Sequence, residues 1–224
     1  MMGRKVIVTG AFGTLGIAMM RCFGRQGVRM GAIDYTEIPK NLFSDIFCPH
    51  VDLTDPKAAQ EAVTQCVRHM SGVDGLVNIA GGFAWELIKE SNDVVWDKLY
   101  DMNLRTALNA TRATLTHMTL GGSIVNIGAA SALKAGAGMG AYTASKAALA
   151  KFTEALADEV KDKDIRVNMV LPSIIDTPAN RAAMPDADFS RWVTPEALAD
   201  VISFLISDQS RAVNGAQLLV NGRL

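Results

Sequence analysis

Residues 5–34 constrain the fold of this chain more tightly than any other stretch. Lys5-Val-Ile-Val-Thr9 is a short, nearly continuous apolar run, the pattern of a strand buried on both faces. Gly10-Ala-Phe-Gly13-Thr-Leu-Gly16 follows at once, and a helical pattern then runs through Met20, Cys22 and Phe23. A strand, a glycine turn and a helix in that order form an anion cradle. Gly10 permits the tight turn, and the later glycines let backbone come close to a pyrophosphate and helix pack on strand. The helix N-terminus adds free N–H groups and the positive end of its dipole. A plain glycine turn would read the same way, so the motif needs its context.

That context is a repeated alternation of strand and helix. Gly27 to Asp34 reads as a second strand and Ile46 to Val51 as a third, ending at Asp52-Leu53. Lys57 to Met70 is an amphipathic helix with Pro56 in its first turn, and Gly75 to Asn78 is a fourth strand running into Gly81-Gly82. Val94 to Met118 reads as one long helix with a bend near Asn103, and Tyr142 to Val160 as another. Ser123 to Ile127, Arg166 to Leu171 and Ala216 to Val220 supply further strands, and Thr194 caps a helix opened by Pro195. The expectation is an α/β fold: one doubly wound parallel sheet of the Rossmann type, helices on both faces, as a single domain over residues 1–224. Ligands on such sheets sit beyond the carboxyl ends of the strands, where the glycine loop, Asp34, Asp52 and Asn78 all fall.

Asp34 lies 18 residues after Gly16, at the end of the second strand. A carboxylate there accepts hydrogen bonds from ribose hydroxyls and repels a 2′-phosphate, which favours NAD(H) and leaves NADP(H) possible. No Arg or Lys stands inside the glycine loop to offset it; Arg4 and Lys5 precede the strand, and Lys40 follows at a distance. An ordinary strand-end acid is the plainer alternative. The net charge of −1 argues against a nucleic-acid partner. The N-terminal residues show no signal-peptide pattern, and no apolar run reaches membrane-spanning length. Cys22, Cys48 and Cys66 form no C-x-x-C pair and are expected to be inert thiols of a cytoplasmic protein. His50, His69 and His117 make no ligand spacing, so no metal site is expected.

Tyr142-Thr-Ala-Ser-Lys146 opens the helix that runs to Val160. Residues four apart share a helix face, so the Tyr142 phenol and the Lys146 ammonium can meet over one site. A fixed positive charge lowers a neighbouring phenol from its ordinary pKa of about 10, which suits it to general acid–base catalysis. An ordinary aromatic beside a solvated lysine is the alternative.

Taken together these segments resemble the short-chain dehydrogenases/reductases. The resemblance rests on Thr9-Gly10-Ala11 with Gly16, Asp52-Leu53, Asn78-Ile-Ala80-Gly81, Asn103 within Met-Asn-Leu, Tyr142-x-x-x-Lys146 and Pro172-Ser-Ile-Ile-Asp-Thr177, and it covers nearly the whole chain. It implies an NAD(P)-dependent oxidoreductase acting on a small molecule, with no nucleic-acid or membrane partner. In it Tyr142 is the general acid, Lys146 lowers its pKa and holds the nicotinamide ribose, and Asn103 sustains a water-linked proton path. Carried over residue by residue, it sets the dinucleotide against Gly10, Gly13, Thr14, Leu15, Gly16, Asp34, Asp52, Leu53, Asn78, Ala80, Gly81, Ile127, Tyr142, Lys146, Pro172, Ile175 and Thr177. It also implies a homodimer or homotetramer, with the two long helices as interface.

Two departures stand out. Thr14 occupies a position where the family usually has glycine, so Gly10, Gly13 and Gly16 are evenly spaced. Ala129 occupies the place, 13 residues before Tyr142, of the serine that usually binds the substrate carbonyl. Ser131 follows two residues later and either substitutes for it or is a plain loop residue. The dihydropteridine reductase branch lacks that serine, uses NADH and is similar to this chain in Asp176 to Trp192, Ala80 to Ala84 and the approach from Gly136 to Tyr142. That branch does not usually carry an asparagine at position 103. A carbonyl or 3-oxoacyl reductase using Ser131 is the rival enzyme, and a non-catalytic dinucleotide sensor the rival of another class. Residues 177–194 read as a short loop covering the substrate, with Phe83, Trp85, Met184 and Trp192 as pocket-lining candidates.

Overall fold

The computed structural model describes residues 1–118 and 120–224. Seven strands form one parallel sheet in the order β3-β2-β1-β4-β5-β6-β7. They are β1 (Lys5–Thr9), β2 (Arg29–Ile33), β3 (Ile46–Cys48), β4 (Gly75–Asn78), β5 (Gly122–Ile127), β6 (Ile165–Pro172) and β7 (Gln217–Val220). The helices are α1 (Thr14–Arg25), α2 (Pro56–Met70), α3 (Asp93–Tyr100), α4 (Thr106–Leu115), α5 (Gly140–Glu159), α6 (Pro178–Ala183) and α7 (Pro195–Ile206).

The central strand shows why the sheet must be covered twice. Val6 and Val8 of β1 join a core with Met19 and Phe23 of α1 and Ile202 and Leu205 of α7. Ile7 points the other way, into a core with Val63 and Met70 of α2 and Leu156 of α5. Successive side chains leave a strand on opposite faces, so a continuous apolar run buries on both sides. The crossover at β1 puts the carboxyl ends of β1 and β4 side by side, and Ile79 donates from its N–H to the Thr9 carbonyl at 3.3 Å. A switch point of this kind is where open sheets bind ligands.

Several expected boundaries shift for local reasons. The third strand stops at Cys48 rather than Val51, because His50 takes a φ of +58° and turns the chain. The long helix is interrupted at Asn103, where α3 runs through a π-helical turn at Asp101–Arg105 into α4, and it ends at Leu115 rather than Met118. Residues 177–194 are more regular than expected. Thr177 accepts from the Asn180 N–H at 3.1 Å and Pro178 occupies the first turn, so a six-residue helix starts there without a long apolar stripe. Phe189–Arg191 adds a 3₁₀ turn. Thr194 caps α7 as expected, accepting from the Ala197 N–H at 3.2 Å.

Candidate active site

The glycine loop is shaped by close contacts. Gly10 has φ +64°, and a Cβ there would meet the Ala80 amide nitrogen at 2.7 Å. A Cβ on Gly16 would meet the Gly10 carbonyl oxygen at 2.2 Å. A Cβ on Gly13 would sit at an ordinary 3.6 Å from the Gly10 carbonyl oxygen, and no side chain caps α1 among the described residues. Gly13 and Thr14 are exposed, whereas Leu15 and Gly16 are buried against the loop. Backbone contacts therefore demand glycine at positions 10 and 16, while Gly13 stands exposed in front of uncapped helix N–H groups. Thr14 stands on the exposed rim and does not obstruct this cradle.

Asp34 joins the loop to the end of β2. Its Oδ2 accepts from the Phe12 N–H at 2.8 Å, and its Oδ1 accepts from the Thr36 N–H and hydroxyl at 3.0 Å each. A carboxylate offers about four acceptor directions, so about one remains for a ribose hydroxyl. Asp52 is exposed and caps its own turn, accepting from the Thr54 N–H and hydroxyl. Leu53 is buried, and its carbonyl accepts from the Asn109 amide at 3.0 Å.

Asn78, expected among the residues against the dinucleotide, turns its side chain away from the rim. It is 2% exposed, and its amide donates to Thr111 Oγ1 at 3.1 Å and to Asn126 Oδ1 at 2.9 Å. Asn126 in turn donates to Thr153 at 2.9 Å. The residue ties β4 to β5 and α4 beneath the site; burial leaves it no path to solvent. Its neighbours Ala80 and Gly81 do reach the rim, Ala80 half-buried and Gly81 exposed.

Two side chains from distant segments, Asn103 and Lys146, converge at Gly81. A Cβ at Gly81 would lie 2.6 Å from Asn103 Oδ1 and 3.3 Å from Lys146 Nζ. Asn103, in the π turn, accepts from the Gly82 N–H at 2.9 Å and donates to the Gly82 carbonyl at 3.0 Å. It also donates to Ser145 Oγ at 3.0 Å, and Ser145 donates to the Tyr142 carbonyl at 2.7 Å. Single π turns inside α-helices often mark functional positions, because the extra residue re-aims one side chain. Ser145 and Gly82 were missed in the sequence; the serine's place beside Lys146 was the available signal. Gly81→Ala is expected to displace Asn103 and lower turnover with little change in cofactor affinity. Steady-state kinetics with cofactor titration checks this, and an unchanged turnover number would contradict it.

Lys146 is buried, and its Nζ donates to the Ile127 carbonyl at 2.8 Å. Burial pushes its ammonium from 10.5 down to about 8. Burial also pushes the Tyr142 phenol from 10 up to about 12. Burial is the cause of both shifts. The ammonium is turned to a backbone carbonyl, and loss of water disfavours the charged form of each group.

Phe83 stands edge-on to Tyr142, with ring centroids 4.9 Å apart and planes at 79°. Trp85 packs over Gly138, so the 83–88 strap lies across the loop leading into α5. The Glu86 N–H donates to the Gly138 carbonyl at 2.8 Å. Trp192 does not line a pocket: it is 5% exposed and packs on Phe189 at 4.8 Å, with Arg181 over the Phe189 ring. Met184 is half-buried. At position 129 the alanine is 6% exposed, and Ser131, in the following 3₁₀ turn, has no hydrogen-bond partner for its hydroxyl among the described residues. Pro172 ends β6 and is buried, Ile175 bridges to Val193, and Thr177 spends its hydroxyl on the α6 cap.

A family model described as short chain dehydrogenase matches residues 4–188. The chain belongs to the short-chain dehydrogenase family. As a short-chain dehydrogenase it is an NAD(P)-dependent oxidoreductase, which answers the sensor alternative. It is 32% identical to a short-chain dehydrogenase/reductase from Talaromyces verruculosus over 96% of this chain and 94% of that protein. It is 31% identical to a 3-oxoacyl-(acyl-carrier-protein) reductase from Thermotoga maritima over 99% of this chain and 98% of that one. Among solved structures, a carveol dehydrogenase from Mycobacterium avium in complex with NAD superposes with a TM-score of 0.87 at 26% identity, covering 99% of this chain and 97% of that one. A short chain dehydrogenase from Burkholderia cenocepacia in complex with NADP gives 0.90 at 28%, again covering 99% and 97%. The exposed Gly13, the uncapped α1 N-terminus and the residual acceptor of Asp34 fit a nicotinamide dinucleotide. No helix among the described residues is long and apolar enough to cross a membrane.

Proposed function

We propose that this short-chain dehydrogenase uses NADH to reduce a planar, conjugated small molecule of the quinonoid dihydropterin kind. The observation that carries this reading is Ala129. A simple ketone gains from a positioned hydroxyl on its oxygen, and losing one such donor elsewhere costs on the order of 10²–10³ in rate. A conjugated acceptor delocalises the charge that such a donor would stabilise. The exposed Phe83 ring beside Tyr142 offers an apolar surface to a flat ring system.

The bound dinucleotide supplies the hydride. Tyr142 holds the proton that completes the reduction, since burial keeps its phenol protonated. Lys146 and Asn103 bracket Gly81; Lys146 would hold the nicotinamide ribose, and Asn103 and Ser145 would connect the acid to solvent for re-protonation. Gly10, Gly13, Thr14, Leu15, Gly16, Ala80 and Gly81 would supply the backbone against the dinucleotide. Ile127, Pro172, Ile175 and Thr177 would supply its nicotinamide end, and Asp34 and the Asp52-Leu53 turn its adenosine end. A cytoplasmic homodimer or homotetramer is part of the same reading.

Asp34 underlies the preference for NADH. Asp34→Asn keeps an acceptor for the Phe12 N–H and removes the charge that opposes a 2′-phosphate. The ratio of NADPH to NADH affinity is expected to rise by about tenfold or more, the scale of one close charge pair. Equal changes for both cofactors, by fluorescence titration, would remove Asp34 as the selector.

A carbonyl or 3-oxoacyl reductase is the second reading. It is favoured by the free hydroxyl of Ser131 and by relatives named for such activities. Oxidation of NADH and NADPH at 340 nm against quinonoid dihydropterin, ketones, 3-oxoacyl thioesters and quinones separates the two. Turnover of the dihydropterin with NADH supports the first. Turnover confined to ketones or thioesters, and lost in Ser131→Ala, replaces it with the second.

A further inference from the structure

The three cysteines do not share one environment. Cys22 lies on α1, with Sγ 3.7 Å from Asp200 Oδ1. Cys48, the last residue of β3, and Cys66, on the buried face of α2, have their sulfurs 3.8 Å apart. They are 5% and 0% exposed. Cys66 reaches this position because β2 has Gly31 beneath it, where a Cβ would lie 2.8 Å from the Cys66 sulfur.

A disulfide needs its sulfurs at about 2.0 Å, so closure takes roughly 1.8 Å of approach. The element that must move suits this: β3 is three residues long, lies at the sheet edge and is hydrogen-bonded to β2 alone. A surface groove of about 650 Å³ opens beside Gln65. Ile46, Thr64, Gln65 and His69 line it, and Gln65 Oε1 lies 3.7 Å from the Cys48 sulfur.

We propose that Cys48 and Cys66 form a reversible dithiol–disulfide site, oxidised by low-molecular-weight disulfides that reach Cys48 from the Gln65 groove. Isolated buried thiols are inert, but here the Cys48 and Cys66 sulfurs lie against each other, and Cys48 also sits beside Gln65 at the groove. Cys48 is the less deeply buried of the two and the one beside Gln65 and the groove, which makes it the attacking sulfur. The Cys48 thiolate attacks one sulfur of the incoming disulfide, forming a mixed disulfide and expelling one thiolate. The Cys66 sulfur then attacks Cys48, passes its proton to the leaving group and expels the second thiol. Two protein thiols lose two electrons, and one small disulfide is reduced to two thiols.

Oxidation reports on the adenosine end of the cofactor site. The Asp34 N–H donates to the Cys48 carbonyl at 3.1 Å, and the Val51 N–H donates to the Asp34 carbonyl at 3.0 Å. Drawing Cys48 toward α2 therefore strains the peptide that carries Asp34. NADH affinity is expected to fall several-fold on oxidation, a consequence that rests on the proposed role of Asp34.

The folded protein is equilibrated with oxidised glutathione, free thiols are trapped, and peptides are mapped by mass spectrometry. A peptide linking Cys48 to Cys66, lost on treatment with dithiothreitol, is the expected result. Cys66→Ser is expected to accumulate glutathione on Cys48, and Cys48→Ser to leave Cys66 unreacted. Absence of the linked peptide, or linkage only under denaturing conditions, overturns the site. The map does not depend on cofactor, so linkage without any change in NADH affinity keeps the thiol site and overturns only its coupling to Asp34.

Discussion

Tyr142→Phe is expected to fold and to bind cofactor as the parent does, while losing most of its turnover. Only the hydroxyl is removed. The ring that meets Phe83 at 4.9 Å remains, and so do the Tyr142 carbonyl and its bond from Ser145. General acids of this kind contribute about 10²–10⁴ in rate, and the loss should fall in that range. The pH profile carries a second signature. With the phenol raised to about 12 by burial, the protonated acid that reduction needs persists through neutral and mildly alkaline pH. Reduction is therefore expected to be nearly flat across that range. The reverse oxidation needs the phenolate and is expected to rise about tenfold per pH unit until the phenol titrates. Parallel steady-state profiles in both directions check this. Turnover in Tyr142→Phe within a few-fold of the parent would exclude the phenol as the acid.

Lys146→Met is expected to abolish turnover and, at neutral pH, to stabilise the cofactor-free protein. A fully buried ammonium lowered from 10.5 to about 8 carries a cost of about 3 kcal/mol relative to the unfolded chain. The sign follows from proton binding. Below pH 8 both states hold the proton, and the folded state bears the whole penalty. Between about pH 8 and 10.5 the folded state releases it first, so the unfolded state binds more protons and stability rises with pH. The penalty is gone above that window. Methionine keeps the apolar stem and removes the charge, losing a hydrogen bond to Ile127 worth about 1 kcal/mol. The net gain at pH 7 is about 2 kcal/mol, or about 4–8 °C in Tm for a chain of this size. Thermal unfolding of both proteins at pH 7 and pH 10 tests it: the gap should be present at the first and largely closed at the second. An equal or lower Tm at pH 7 would show that the buried charge is not destabilising.

Much of the fold was legible because short-range chemistry and long-range packing agree. β1 was read without error from an apolar run that both cores demand, and the caps at Thr194 and Pro195 were read from local backbone needs. Where two local signals compete, sequence reading lost resolution. The strand continuing to Val51 was broken by the left-handed turn at His50, and α6 arose from the Thr177–Pro178 start without an apolar stripe to announce it. Trp192 was one of four pocket-lining candidates, and nothing in its neighbours' identities shows that it packs on Phe189 instead.

The sequence by itself determined the alternation of strand and helix, the glycines at 10 and 16 that backbone contacts require, and the helical spacing that places Tyr142 and Lys146 on one face of α5. These follow from residue type and periodicity, which act over a few residues. Only the tertiary structure decided which groups meet across segments. It turned Asn78 inward to Asn126, brought Asn103 to Ser145 through the π turn, gave Lys146 to the Ile127 carbonyl, and set Cys48 against Cys66. It also set how deeply the two groups are buried. Tyr142 and Lys146 share a helix face by spacing alone, but the packing around them removes their water, and that burial shifts each toward its neutral form.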